Sequence, residues 1–127
     1  MCEIKFRVWD NIAKKYIDSR YVSISGLGLL HVAKRIIKNC FRPPHTRKNP
    51  WFIVEQFTGL RDKNGTEIYE GDILIDDTGE PIEYWVVKFS EGSFIGECAG
   101  VVEPLFELTQ LEVAGNIHED SELLEEE

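Results

Sequence analysis

Paired carboxylates are the first groups in this sequence with the makings of chemistry. Asp76-Asp77, Glu67 with Glu70, and Glu119 with Asp120 each place two acids within a few residues. General acid–base catalysis needs more than proximity, because the two carboxyls must sit in different, partly desolvated environments. Asp76-Asp77 opens a polar Asp-Asp-Thr-Gly turn, where water is expected to keep both acids ordinary. A hydrolase using Asp72 and Asp76 is therefore the weakest functional reading. The metal-binding types are His31, His45 and His118 with Cys2, Cys40 and Cys98. None forms a CxxC or HxxxH pair, so no zinc or dithiol site is expected, and the three thiols are expected to be free, small apolar side chains. Asp76-Asp77-Thr78-Gly79-Glu80 lacks the alternating oxygen ligands and terminal glutamate of a calcium loop. GxSxG, the Walker A loop and GxGxxG are absent, and Gly26-Leu27-Gly28 has no third glycine. The expectation is a protein that is not an enzyme and holds no cofactor.

The sharper candidate is a basic surface. The net charge is −9, yet between Ser19 and Val54 there is no acidic residue, and seven basic ones stand there. From Glu55 to the C-terminus, 20 acidic residues face three basic ones. Lys34, Arg35, Lys38, Arg42, Arg47 and Lys48, with Trp51, form the candidate interaction surface. Such a set can contact phosphates while Trp51 and Phe52 stack on bases. The acidic remainder would repel nucleic acid, however, and the same cations can dock on the acidic half of another copy. An ordinary solvated face is the plain alternative to both. Self-association or a protein partner is the leading expectation. A nucleic-acid-associated accessory role through residues 34–52 is the second.

The elements that must position these groups follow from periodicity. Ile4, Phe6 and Val8 alternate with Lys5, Arg7 and Trp9, a strand pattern of period two. Asp10-Asn11 is a turn pair, and a short strand around Lys15–Ile17 closes a hairpin. After Ser25-Gly26 the period changes. Leu29, Val32, Ala33, Ile36, Ile37 and Cys40 lie on one helical stripe, opposite His31, Lys34, Arg35 and Lys38. The spacing predicts an amphipathic helix capped by Ser25 and ended before Pro43-Pro44. Residues 41–50 read as a basic, proline-rich loop.

From Trp51 onward the pattern is β. Asn64-Gly65, Glu70-Gly71 and Glu91-Gly92 mark turns. Ile73–Ile75, Ile82–Phe89, Ser93–Glu97, Leu105–Leu108 and Leu111–Ile117 are predicted strands. Ile82–Phe89 carries bulky residues on both faces. Asp120 or Ser121 caps a short terminal helix with Leu123-Leu124. The fold class is mainly β (α+β), with an N-terminal hairpin, one amphipathic helix and an SH3-like small barrel. The expected division is 1–50 for the hairpin, helix and loop, and 51–127 for the barrel with a short tail. At 127 residues and 43% hydrophobic, the chain can bury one compact core. It shows no signal-like leader and no apolar run of about 18 residues, so no membrane association and a cytoplasmic location are expected.

Three blocks resemble those of the YopX family, small proteins encoded by bacteriophages and prophages. The first is Ile4-Lys5-Phe6-Arg7-Val8-Trp9-Asp10. The second runs Phe57-Thr58-Gly59-Leu60-Arg61-Asp62-Lys63-Asn64-Gly65-Thr66-Glu67-Ile68-Tyr69-Glu70-Gly71-Asp72-Ile73. The third is Leu111-Glu112-Val113-Ala114-Gly115-Asn116-Ile117-His118-Glu119. They stand in family order and span nearly the whole chain, whereas residues 20–50 match no family block. The resemblance implies an SH3-type barrel in the C-terminal part and a phage or prophage origin in a bacterial cytoplasm. It implies no activity. In the signature itself, Gly59, Gly65 and Gly71 suit turns, Asp62 and Asp72 suit backbone N–H groups within them, and the apolar residues suit a half-buried sheet. The block is therefore expected to serve folding rather than ligand contact.

Overall fold

The computed structural model describes residues 4–24, 30–32 and 50–124. Among these described residues there are eleven strands: β1 (Phe6–Asp10), β2 (Lys15–Tyr16), β3 (Val22–Ile24), β4 (Leu30–Val32), β5 (Phe52–Arg61), β6 (Glu67–Tyr69), β7 (Asp72–Asp76), β8 (Glu83–Ser90), β9 (Ser93–Cys98), β10 (Val101–Pro104) and β11 (Glu112–Asn116). Short 3-10 helices lie at Ser19–Tyr21, Leu105–Glu107 and Ser121–Leu124. The protein is mainly β, with no α-helix among the described residues. The chain forms two compact units, Phe6–Glu55 and Met1–Lys5 with Gln56–Glu127.

In the first unit β1 lies between β2 and the start of β5. The Asp10-Asn11 turn forms as the sequence predicts. Asp10 Oδ1 accepts from the Ile12 and Ala13 amides at 3.0 Å each, and Lys14 takes a positive φ of 60°. The register sets Trp9 opposite Tyr16, and their rings meet edge-on at 5.0 Å. Two residues back on the same face, the Arg7 guanidinium lies 4.7 Å from the Tyr16 ring centroid. Arg7 Nε and the Tyr16 hydroxyl both donate to Glu55 Oε1, at 2.7 and 2.9 Å. Glu55 is buried, so its charge is tolerated through the cation and hydroxyl turned onto it.

The predicted helix is corrected at its start. Leu30–Val32 is strand β4, antiparallel to β3, with Val22 opposite Val32 and Ile24 opposite Leu30. Helical spacing of apolar residues is a weak prior, and a partner strand supplying backbone hydrogen bonds overrides it. Residues 33–40 of that prediction, its Ser25 cap and the basic loop through residue 49 lie outside the described residues.

The second unit is built on a five-stranded antiparallel sheet of order β10-β9-β8-β7-β11. The chain meanders from β7 to β10, and β11 returns beside β7. Two hairpins are two-residue turns with positive φ at both positions, Glu91-Gly92 (50° and 86°) and Ala99-Gly100 (51° and 88°), the geometry that matches strand twist. β6 pairs with the second half of β5, setting Phe57 opposite Tyr69 and Arg61 opposite Glu67. The predicted strand at Leu105–Leu108 is instead a 3-10 turn entered from Pro104. Leu105, Leu108 and Leu111 are all buried. A spacing of three aligns side chains on a 3-10 turn, whereas a strand would send Leu105 and Leu108 to opposite faces.

The core of this unit gathers Ile68, Leu74, Trp85, Val87, Leu105, Leu108 and Leu111. Leu74 and Trp85 are register partners, and Val87 follows on the same face of β8. Gly96 on β9 lies under this cluster, and a Cβ there would collide with Leu108 Cδ1. One polar atom is out of place. Trp85 Nε1 is buried and has no hydrogen-bond partner among the described residues. An unpaired buried donor costs about 1–3 kcal/mol, which offsets much of what the larger indole gains over a phenyl ring. Trp85→Phe is therefore expected to change unfolding free energy by less than about 1 kcal/mol, read by urea denaturation. A loss of several kcal/mol would show instead that ring volume dominates.

Candidate interaction surfaces

The signature block assembles a set of backbone clamps. Asp62 closes the loop between β5 and β6: its Oδ1 accepts from the Asn64 and Thr66 amides at 2.8 and 2.9 Å. Its Oδ2 reaches across to the Val113 amide at 2.9 Å, and the Lys63 amide donates to the Leu111 carbonyl at 3.3 Å. Burial works to raise the Asp62 carboxyl, but the three amides together hold it below the usual carboxylate value. Asp72 Oδ2 accepts from the Tyr69 amide at 2.8 Å across the Gly71 turn. Gly71, at φ 85°, donates to the Val87 carbonyl and accepts from Ile117. In the closing block, Asn116 Oδ1 accepts from the amides of His118 and Glu119, while Asp120 Oδ2 accepts from the Asn116 amide at 3.1 Å. The Asp120 carboxylate occupies the space of a Cβ at Gly115, which explains a glycine at that bulge. From the opening block, Lys5 Nζ pairs with Glu67 Oε2 at 2.6 Å, and the Lys5 carbonyl accepts from Phe57. Lys5 is the first cause holding Glu67 below its ordinary value. These hydrogen bonds and the ion pair tie the turns and strand ends of this unit together.

Asp72 and Asp76 stand at opposite ends of β7, about 13 Å apart by strand rise. Asp76 instead accepts from the Thr78 amide and hydroxyl, at 3.1 and 2.6 Å, which lowers its pKa. Among the described residues no three His, Cys, Asp or Glu side chains converge as metal ligands, and no helix is long and apolar enough to cross a membrane.

Of the predicted basic surface, Lys34, Arg35, Lys38, Arg42, Arg47 and Lys48 lie outside the described residues. Trp51 is described and half-buried. Its carbonyl accepts from the Asn11 amide at 2.8 Å, and Asn11 Nδ2 donates to the Pro50 carbonyl at 3.1 Å. Return from the basic stretch into β5 is thus anchored on the β1–β2 turn.

A second surface emerges in the C-terminal unit. Because β8 is apolar on both faces, burying Trp85 and Val87 leaves Tyr84 and Val86 on the face away from the core. With Ile82 and Leu124 they line a groove of about 630 Å³. Ile82 is 48% exposed and Leu124 37%. Lys88 and Glu97 also line it and form an ion pair with each other. The remaining cations of the stretch from Glu55 onward are paired too, Arg61 with Glu67 at 3.4 Å and Lys63 with Glu112 at 3.6 Å. The bulky residues on both faces of Ile82–Phe89 are the sequence signal for this groove. Choosing which face is buried takes the folded sheet.

In this mainly β chain the three sequence blocks are joined by backbone clamps, the Lys5 carbonyl accepting from Phe57 and the Asp62 carboxylate from Val113. The YopX protein family model matches residues 5–125, and the chain belongs to that family. Two crystal structures are similar over 98% of this chain and 100% of theirs, each at 25% identity. One is protein EF1440 from Enterococcus faecalis, with a TM-score of 0.62, and the other is YopX from Bacillus subtilis, at 0.55. No curated protein matches the chain.

Proposed function

We propose that this chain is a phage- or prophage-encoded, non-enzymatic assembly or adaptor module of the bacterial cytoplasm, built on an SH3-like barrel, that self-associates or binds a protein partner. The SH3-like reading is supported by the β7-to-β10 meander, the 3-10 turn at Leu105–Glu107, and β11 returned beside β7. The observation that carries the function is the division of charge. Each of the three cations from Glu55 onward already has a carboxylate partner. The excess of carboxylates there has its complement in the acid-free stretch between Ser19 and Val54. Opposite potentials on one chain favour association between copies.

Light scattering across a salt series tests this. Oligomers are expected at low ionic strength and should dissociate as salt rises past about 0.5 M, where screening shortens to a few ångströms. A monomer at every ionic strength and at high protein concentration would remove self-association from the proposal. A parallel titration with single- and double-stranded DNA and RNA addresses the second reading, a nucleic-acid accessory role through the basic stretch and Trp51. Salt-sensitive binding at low ionic strength would favour it.

A further inference from the structure

We propose that the groove beside β8 and β9 is the seat for the basic stretch, residues 34–48, of a second copy of this chain. The inference rests on the self-association reading above and gives it a site. Three observations support it. The first is size and lining: the groove, about 630 Å³ and bounded by Ile82, Tyr84, Val86 and Leu124, is in the size range of ligand clefts lined mainly by apolar side chains. The second is incomplete cover on the groove side of β8: Tyr84 and Val86 are only half-buried, and Ile82, just before the strand, is exposed, although a strand apolar on both sides is the pattern of one covered twice.

The third is the sign of the charge around the groove. Glu83 lines it, and Lys88, the cation of its lining, is already held by Glu97. Glu80 and Glu122 flank lining residues in the sequence. The field is felt inside. Burial raises the Cys98 thiol first, and the charges of Glu83 and Asp76 raise it further. An apolar floor with acidic walls selects a segment that is both apolar and basic. Residues 34–48 carry Ile36 and Ile37 among Lys34, Arg35, Lys38, Arg42, Arg47 and Lys48, with no acid. The isoleucines suit the floor and the cations suit Glu83 and its neighbours.

The test uses two full-length variants followed by sedimentation and light scattering at low salt. Ile82→Lys with Leu124→Lys makes the groove cationic at two exposed positions, and Lys34→Glu, Arg35→Glu and Lys38→Glu reverses the stretch. Circular dichroism and thermal melting confirm that each is folded. Each variant alone is expected to weaken self-association by about tenfold or more. Mixed together they should associate again, because one supplies an intact basic stretch and the other an intact groove. If the groove variant self-associates like the unaltered protein while the stretch variant does not, self-association stands and the groove is not its seat. The groove is excluded in the same way if both variants lose association and the mixture stays monomeric. An unaltered protein that is monomeric throughout overturns the underlying reading itself.

Discussion

Asp62→Ala is expected to lower the unfolding free energy by about 3 kcal/mol, because one small substitution releases three backbone donors at once. The Asn64 and Thr66 amides belong to a surface loop and can turn to water. The Val113 amide lies in β11, where its acceptor comes from a residue 51 positions away. Losing it loosens the return of β11 as well as the loop. Asp62→Asn keeps an acceptor oxygen but loses the charge, so its expected loss is smaller, about 1–2 kcal/mol.

The pH dependence gives a second readout. The folded carboxyl is held below its unfolded value, so its contribution is fully present above about pH 5, where the unfolded group is also ionised. It declines as pH falls through the folded value. The stability gap between the unaltered protein and Asp62→Asn should accordingly narrow between about pH 5 and pH 2. Urea denaturation at several pH values measures it. A gap independent of pH would mean that the carboxylate charge contributes nothing to the clamp.

Leu74→Ala is expected to be at least as damaging, about 3–4 kcal/mol. Leu74 is fully buried at the middle of β7, between β8 and β11, and packs in the cluster with Trp85, Val87 and the Leu105–Leu111 segment. The sheet backbone on both sides restricts collapse into the vacated space, which places the substitution toward the upper part of the range. The contrast with Trp85→Phe is informative, since both residues belong to one cluster and face each other in register. Truncating the leucine creates a void, whereas shortening the indole also removes an unpaired donor. If Leu74→Ala shifts the urea midpoint no further than Trp85→Phe, the described core is not the centre of stability.

Local chemistry made much of the architecture legible. Alternation located β1, turn residues bounded the segments that became β8, β9 and β11, and Asp10-Asn11, Gly71 and Glu91-Gly92 turn the chain where their residue types favour it. Three segments went otherwise because their state depends on what they pair with or pack against rather than on their own residue pattern. β10 forms because Ala99-Gly100 adopts a hairpin turn that has no Asn-Gly signature, and Val101 then meets Cys98. Leu30–Val32 becomes strand because Val22–Ile24 is available to pair with it. Leu105–Glu107 coils because Leu105, Leu108 and Leu111 meet the core at a spacing of three. Of the two candidate surfaces, the basic one rests on composition alone, since its six cations lie outside the described residues. The groove is only half visible, since two apolar faces on one strand do not say which the core will take.

The sequence by itself determined the turns at Asp10-Asn11, Gly71 and Glu91-Gly92, the split of charge and the three family blocks, because each is written in residue types at short spacing. Only the tertiary structure decided that Asp62 fastens onto Val113, that Trp85 and not Tyr84 faces the core, and that a groove remains outside β8. Those outcomes depend on strand order and register, which arise from contacts between residues far apart in the chain and are therefore fixed only when the sheet closes.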